Sequence, residues 1–198
     1  MYNKRSFETF STSNSSILSN MVTSVESTVD GGIIIGTTNG LSLRTADGQW
    51  TSFKDPAVTT MNISTLKVTS DGTIWVGTDD IGYYVFLATD YVHSLTGFGV
   101  YKVEEDSRGN IWVGYTGGLA KFDGTKWSYI RASDGLPDGG ISALFFDSRE
   151  RLWIGLLGGE KAYWLDDSGV HPLSLMNGNA GNLILDICED KRGDIWFA

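Results

Sequence analysis

Apolar and polar residues follow one another along this chain in a pattern that returns at intervals of 37 to 43 residues. A tryptophan marks each return at positions 75, 112, 153 and 196, and Ile34 takes its place in the first copy. A polar turn precedes each of these positions, and short aliphatic stretches lie on both sides of the turn. A repeat of this length indicates a solenoid, an array of small units or a propeller.

The repeated positions define each unit. Aliphatic residues stand twelve and nine residues before the tryptophan position: Val22 and Val25, Ile63 and Leu66, Val100 and Val103, Ile141 and Leu144, Ile184 and Ile187. A small residue stands two positions after each tryptophan position: Gly36, Gly77, Gly114, Gly155 and Ala198. The turn between them ends in glycine, with Glu150 as the exception. Glycine supplies the positive φ of a tight reversal, so each unit begins as strand, turn and strand.

Two further strands follow in most units. The third is predicted at 41–44, 82–86, 119–122 and 161–165, and the fourth at 50–53, 127–130 and, less regularly, 171–175. The fourth strand of the second unit, near 91–93, has the weakest pattern. Four short strands without helical periodicity form one blade of a β-propeller. The sequence therefore predicts an all-β propeller of four-stranded blades, about five in number with the last incomplete, in units 22–62, 63–99, 100–140, 141–183 and 184–198.

The repeats resemble the two-component regulator propeller repeat family. Its consensus runs Asp-x-x-Gly-x-Ile-Trp-Ile-Gly-Thr-x-x-Gly-Leu, then a tryptophan strand, then Asp-Gly-Leu-Pro, and 71–78, 106–119 and 127–137 match it closely. Ile34, Glu150 and the third strand of the second unit depart from it. The resemblance covers almost the entire chain. It implies a periplasmic or extracellular sensor region of a bacterial histidine kinase or hybrid regulator, in which a propeller binds a ligand and other modules signal.

The two ends of the chain carry partial units. Residues 6–10 align with a fourth strand and so predict an orphan strand ahead of the first blade, while 184–198 supply only two strands of the last. These features favour a truncated portion of a larger propeller protein over five blades that close imperfectly. An incomplete terminal blade exposes an edge that invites pairing, which predicts a homo-oligomer formed through that blade.

Charge and cysteine content exclude several classes of partner. The net charge is −9 and the 15 basic residues are scattered, which argues against nucleic acid as a partner. Cys188 is the single cysteine, so the chain has no internal disulfide and no cysteine metal site. No apolar run reaches the length of a membrane span, and residues 1–10 lack the apolar stretch of a signal peptide.

No catalytic constellation is present in the sequence. His93 and His171 lie in different units without metal-ligand spacing, and no nucleophile elbow or phosphate loop occurs. The sequence therefore predicts a non-enzymatic domain without a cofactor or metal that senses a ligand or mediates an interaction. Two alternatives remain: a propeller lyase or hydrolase with a general base and a metal at the channel mouth, and a pure protein–protein scaffold.

Candidate binding residues vary between copies on the face formed by the second-to-third-strand loops and the blade-to-blade links. They are Asn39, Asp79, Asp80, Tyr115, Arg131 and Asp134. Tyr115 replaces a threonine and can stack on a ligand, the aspartates accept hydroxyl or amine donors, and Arg131 pairs with a carboxylate. The expected partner is a small molecule, an oligosaccharide or another protein.

Overall fold

The structure is a computed structural model that describes residues 7–52, 61–79, 82–87, 90–94, 98–158, 161–174 and 183–198. These residues form β-strands and a single-turn 3-10 helix at Ala132–Asp134, which confirms the all-β prediction. Within them, no helix is long and apolar enough to cross a membrane.

The strands form one sheet for each predicted repeat unit, and each sheet is named a blade. Blade 1 contains β1 (Val22–Ser27), β2 (Ile33–Thr37), β3 (Gly40–Arg44) and β4 (Trp50–Ser52). Blade 2 contains β5 (Ile63–Val68), β6 (Ile74–Thr78), β7 (Tyr83–Leu87) and β8 (Asp90–Ser94). Blade 3 contains β9 (Val100–Glu105), β10 (Ile111–Tyr115), β11 (Gly118–Phe122) and β12 (Trp127–Ile130). Blade 4 contains β13 (Ile141–Phe146), β14 (Leu152–Leu156), β15 (Lys161–Asp166) and β16 (Gly169–Ser174). Blade 5 contains β17 (Ile187–Glu189) and β18 (Ile195–Phe197).

Neighbouring strands in every blade are antiparallel and follow chain order, so each blade is a simple meander. In the described residues β17 and β18 pair with each other alone. The strand near 91–93, which has the weakest sequence pattern, is formed as β8 and pairs with β7. The topology places the turns after first and third strands at one edge of each blade. The loops after second strands and the blade-to-blade links lie at the other edge.

The small residue of each second strand allows the next blade to approach closely. A Cβ added to Gly114 would lie 2.7 Å from Cγ2 of Ile141, the first residue of β13. The same addition at Gly36 and Gly155 would lie 2.6 and 2.7 Å from Ile63 and Ile184. Real Cβ atoms do not approach so closely, so these positions are glycine for contact between blades and not for a special φ.

The second-strand tryptophans of blades 2 to 4 pack on the next blade. Trp75 of blade 2 is buried with Val100 and Val103 of blade 3, and its ring lies edge-on to Trp127 with centroids 6.1 Å apart. Trp153 of blade 4 is buried with Ile187 of blade 5. The hydrophobic core is therefore a series of clusters between blades, and the repeated tryptophans are packing residues, as their positions in the repeat indicate.

The segment before blade 1 packs against that blade. Phe7 forms an isolated bridge and residues 8–20 contain no strand, while residue 6 lies outside the described residues. Phe10 lies edge-on to Trp50 with centroids 5.5 Å apart, and the Arg44 guanidinium lies 5.0 Å from its ring. Ile17 is buried. Phe10 and Ile17 thus pack on blade 1 through loop contacts.

Candidate functional site

The predicted residues of blades 1 and 2 lie in short turns after second strands. Asn39 is exposed in the β2–β3 turn, where its backbone N–H donates to Oγ1 of Thr37 at 3.1 Å. Asp79 is exposed after β6 and accepts a hydrogen bond from the side-chain amide of Asn62. Asp80 lies outside the described residues. Both described side chains belong to the expected face.

Tyr115 is a packing residue at the end of β10. Its side chain is 3% exposed, and its ring lies edge-on to Phe98 with centroids 5.5 Å apart. It belongs to the cluster between blades 2 and 3 that also contains Trp75. The ring has no open face on which a ligand can stack in this structure.

Arg131 and Asp134 form the turn that links blade 3 to blade 4. Oδ2 of Asp134 accepts the backbone N–H of Arg131 at 2.9 Å, and Gly135 closes the turn with a φ of 96°. The Arg131 guanidinium lies 5.1 Å from the Tyr129 ring. Leu136 is buried below the link and anchors it. Among the described residues these two are in contact with each other, but no contact joins them to Asn39 or Asp79.

A groove of about 260 Å3 lies between blades 3 and 4 at the opposite edge, where the hairpin turns meet. Its apolar floor consists of Trp112, Ile130, Phe146, Leu152 and Leu165. Its charged rim consists of Asp106, Arg108, Lys121, Glu150, Asp166 and Asp167. An apolar floor with a few convergent polar groups is typical of a small-molecule site.

Two rim carboxylates are engaged by their own turns. Asp106 accepts hydrogen bonds from the backbone N–H of Asn110 at 2.8 Å and from Nε1 of Trp112 at 3.0 Å. Burial is the largest single influence and raises the pKa of Asp106, but the hydrogen bonds from Trp112, Asn110 and Arg108 together outweigh it and lower that pKa. Hydrogen bonds from Ser168, then from His171, lower the pKa of Asp166. Both groups are therefore anions that already have donors.

The remaining rim charges are available to a ligand. Lys121 and Arg108 have no carboxylate within 4.0 Å in the described part of the chain. The Lys121 ammonium lies 4.8 Å from the Trp112 ring. Asp167 is exposed at the tip of the β15–β16 turn. The groove thus offers two cations and at least one carboxylate beside an apolar floor.

Glu150 is the unusual member of the rim. Its φ is 61°. No other non-glycine residue in the described part of the chain has a positive φ. Oε2 of Glu150 accepts a hydrogen bond from Oγ of Ser107 across the gap between blades at 2.6 Å, which leaves Oε1 for a ligand. Residues held in a disfavoured conformation cluster at functional sites. The sequence feature at this position is the absence of the turn glycine, and the binding residues predicted from the sequence lie on the opposite face.

His171 lies on the β15–β16 hairpin at the outer side of blade 4. Its Nε2 is 2.9 Å from Oγ of Ser168 and 3.1 Å from Oδ1 of Asp166, and its ring stacks on Trp164 with centroids 4.0 Å apart. A Ser-His-Asp relay needs the serine and the aspartate on different ring nitrogens, whereas here both contact the same one. In the described residues no three histidine, cysteine or acidic side chains are grouped for a metal. The side chain of His93 lies outside the described residues.

Four-stranded meanders packed side by side through glycine and tryptophan define a β-propeller protein. Residues 58–80 and 178–198 match the family model of the two component regulator propeller, so the resemblance indicated by the repeats is confirmed. No curated protein sequence matches the chain.

Solved structures confirm the propeller fold. The extracellular domain of the putative hybrid two component system BT4673 from B. thetaiotaomicron is 21% identical, with a TM-score of 0.73 over 89% of this chain and 26% of that one. The extracellular domain of the putative hybrid two component system BT3049 from the same organism is 21% identical. Its TM-score is 0.76 over 90% of this chain and 25% of that one. Virginiamycin B lyase from Staphylococcus aureus is 17% identical, with a TM-score of 0.71 over 89% of this chain and 62% of that one. The chain thus spans about a quarter of the length of these two extracellular domains, and the similar structures include both domains of two component systems and a lyase.

Proposed function

We propose that this chain is a non-enzymatic, ligand-sensing propeller region of an extracytoplasmic signalling protein, and that its ligand binds in the groove between blades 3 and 4. The family match and the similarity to extracellular domains of two-component systems support the signalling role and the location outside the cytoplasm. The observation that carries the binding role is the groove, with Glu150 at positive φ and two cations, Arg108 and Lys121, that have no carboxylate partner among the described residues.

The chemistry of the groove selects the class of ligand. The apolar floor accommodates a flat or aliphatic body. Arg108 and Lys121 attract an acidic group, while Oε1 of Glu150 and the carboxylate of Asp167 accept an ammonium or a hydroxyl donor. The ligand is therefore a small organic molecule that carries groups of both charge signs on an apolar body, as an amino acid does.

Catalysis is the weaker interpretation. A propeller lyase or hydrolase needs a general base at the channel mouth, which is lined by the first strands of the blades. His171 instead lies on the third-to-fourth-strand hairpin, where Asp166 and Ser168 contact its ring. This placement supports binding as the activity of the chain.

The experiment compares four matched probes by calorimetric titration. They are phenylalanine, phenethylamine, 3-phenylpropionate and the uncharged oligosaccharide maltotriose. Phenylalanine should bind most tightly, because it alone offers both charges on an apolar ring. Its binding should perturb the Trp112 indole N–H signal in an NMR spectrum, since this side chain forms part of the floor.

Two variants separate the contributions of the rim. Lys121→Gln should weaken phenylalanine and 3-phenylpropionate about fivefold, because loss of one exposed charge pair costs up to about 1 kcal/mol. Glu150→Gln should weaken phenylalanine and phenethylamine by a similar factor. Arg131→Gln, on the loop face, is the matched control and should change nothing. If maltotriose binds most tightly, the ligand class is an oligosaccharide and not a molecule with both charge signs. If none of the four probes binds, the result contradicts the groove as the binding site.

Ligand binding by the loop-face residues stays a prediction, and the same titration tests it. They are Asn39, Asp79, Asp80, Tyr115, Arg131 and Asp134. If Arg131→Gln weakens the bound probe while the two groove variants do not, the ligand binds at the loop face and the groove proposal fails.

A further inference from the structure

A pair of hydrogen bonds joins the turn of one blade to the first strand of the next at two junctions. Between blades 2 and 3, the backbone N–H and Oγ of Ser70 both donate to the carboxylate of Glu105 at 2.7 Å. Between blades 4 and 5, the backbone N–H and Oγ of Ser148 donate to the carboxylate of Glu189 at the same distance of 2.7 Å. The serine stands five residues, and the glutamate seven residues, before the repeated tryptophan of its own blade. This arrangement is named the serine–glutamate clamp.

The junction between blades 3 and 4 keeps the serine of the clamp but not the glutamate. Ser107 occupies the donor position, and Phe146, the last residue of β13, occupies the acceptor position. In the described part of the chain the backbone N–H of Ser107 has no protein acceptor. The junction between blades 1 and 2 differs from both kinds, because valine stands at each position, Val29 and Val68. Ser107 is thus a donor whose acceptor position holds an aromatic ring.

The carboxylate at the junction of blades 3 and 4 stands four residues later in the sequence than in the clamp. Glu150 occupies the position at which the other turns have glycine, and its Oε2 accepts the hydroxyl of Ser107 at 2.6 Å. In the clamp, the two donors of the serine engage both carboxylate oxygens. The carboxylate of Glu150 therefore keeps one oxygen for another donor, and the strand end at position 146 is apolar.

Both departures from the repeat border the groove of the proposed ligand. Phe146 is half-buried in the floor, and its ring lies edge-on to Trp112 with centroids 6.0 Å apart. A glutamate at this position would place a carboxylate where the floor is now apolar. Burial of that charge beneath an apolar ligand would be unfavourable. The exchange of glutamate for phenylalanine thus makes the floor suitable for an apolar body.

We propose that Phe146 determines the specificity of the groove, an inference that rests on the proposed function of that site. In place of the clamp glutamate, Phe146 supplies an aromatic ring for the body of the ligand, while Glu150 keeps a carboxylate oxygen for its ammonium. Aromatic pairs packed edge-on or offset are stabilised beyond the burial of their area. The groove therefore selects an aromatic ligand with both charge signs over an aliphatic ligand with the same charges.

Phenylalanine and leucine are the probes for this selection, because they carry the same charges on an aromatic and an aliphatic body. Calorimetric titration of the wild-type chain should give a higher affinity for phenylalanine than for leucine. Phe146→Leu should reduce the ratio of the two affinities about fivefold, because only phenylalanine loses an aromatic contact. The ratio is the readout, since a general loosening of the groove would weaken both probes alike.

Phe146→Glu should restore the clamp, with Ser107 as its donor. Amide hydrogen exchange of the folded chain should slow at Ser107 by about tenfold, because a hydrogen bond to a charged acceptor is strong. The same variant should lose phenylalanine binding. Glu105→Phe is the matched control at the junction of blades 2 and 3. In this control, exchange at Ser70 should accelerate by a similar factor while the affinity for phenylalanine stays at the wild-type value.

Failure of the groove and failure of the role of Phe146 give different results. Absence of phenylalanine binding to the wild-type chain would contradict the proposed function and, with it, the specificity assigned to Phe146. If the wild type binds phenylalanine and Phe146→Leu leaves the ratio of affinities unchanged, the groove stays the ligand site and Phe146 does not determine its specificity. If exchange at Ser107 is as fast in Phe146→Glu as in the wild type, Phe146 does not take the place of a clamp glutamate, and the inference is overturned as well.

Discussion

The indole N–H of Trp153 donates to Oδ2 of Asp147, six residues earlier, at 2.8 Å. Asp147 directly follows the first strand of blade 4, and Trp153 packs against blade 5. The same bond joins Trp112 to Asp106 at 3.0 Å and Trp196 to Asp190 at 3.2 Å. A buried indole N–H without an acceptor costs about 1–3 kcal/mol. The aspartate of the repeat therefore shapes the turn and satisfies the tryptophan that packs between blades.

Blades 1 and 2 build the same turn differently. Thr69 stands where Asp106 stands in blade 3, and its Oγ1 donates to Oδ1 of Asp71 at 2.6 Å. Thr28 and Asp30 form the equivalent bond in blade 1 at 2.5 Å. In blades 1 and 2 the turn aspartate therefore lies two residues later than in blades 3 to 5, and a threonine takes its place. The repeat thus contains two kinds of turn.

Replacement of Asp147 by alanine should destabilise the chain by about 2–4 kcal/mol, because the buried indole N–H of Trp153 and the partly exposed guanidinium of Arg151 lose their acceptor. Urea unfolding monitored by circular dichroism measures the change. Asp190→Ala is the matched control in the exposed blade 5 and should cost clearly less. Equal losses at the two positions would show that the buried bond to tryptophan contributes little.

Stability should fall as the pH is lowered below about 4. Burial raises the pKa of Asp147, but hydrogen bonds from Trp153, Arg151 and Arg149 together lower it below the ordinary value of 3.8. Hydrogen bonds from Thr125 and the backbone lower the pKa of Asp123 to about 2. A pKa that is lower in the folded state contributes stability that is present above the unfolded value and is lost as the pH falls through the folded value.

Urea midpoints between pH 5 and pH 2 measure this loss. Asp147→Asn removes one titrating group, so the midpoint of this variant should change less over that interval than the wild-type midpoint. Asp138→Asn makes the same change of charge at an exposed position in the link to blade 4 and serves as the control. Parallel pH profiles for all three proteins would contradict the assignment to Asp147.

Replacement of Gly77 by alanine should separate adjacent blades. The new Cβ would lie 2.5 Å from Cγ2 of Thr65 and 3.0 Å from the backbone oxygen of Val100. Overpacking of this kind costs about 1–3 kcal/mol, and the near-ultraviolet circular dichroism of Trp75 should change as blade 3 moves. Gly109→Ala is the control, because φ is 79° at this position and an added Cβ would have no atom within 4 Å. Backbone strain should lower its free energy of unfolding by about 1 kcal/mol, without that spectral change.

Replacement of Glu150 by glycine should stabilise the chain by up to about 1 kcal/mol, because glycine adopts a φ of 61° without strain. The same variant should lose affinity for phenylalanine, since it lacks the carboxylate of the groove. Glu150→Gln keeps the backbone strain and should leave the free energy of unfolding unchanged. If the glycine variant proves no more stable than the glutamine variant, strain at this turn does not explain the choice of residue.

The sequence by itself determined the class of fold, because its signals are local and repeated. A β-branched residue such as Ile63, a turn glycine such as Gly72 and the following Trp75 specify strand, turn and strand within a few residues, and five copies set the blade period. The candidate binding residues do not repeat from blade to blade, so the repeat pattern says nothing about their surroundings. Tyr115 varies between copies as a ligand residue does, yet its ring is buried because Phe98 packs against it. The burial of Tyr115 and the position of the groove became apparent only in the tertiary structure, because both depend on how residues distant in sequence pack against one another.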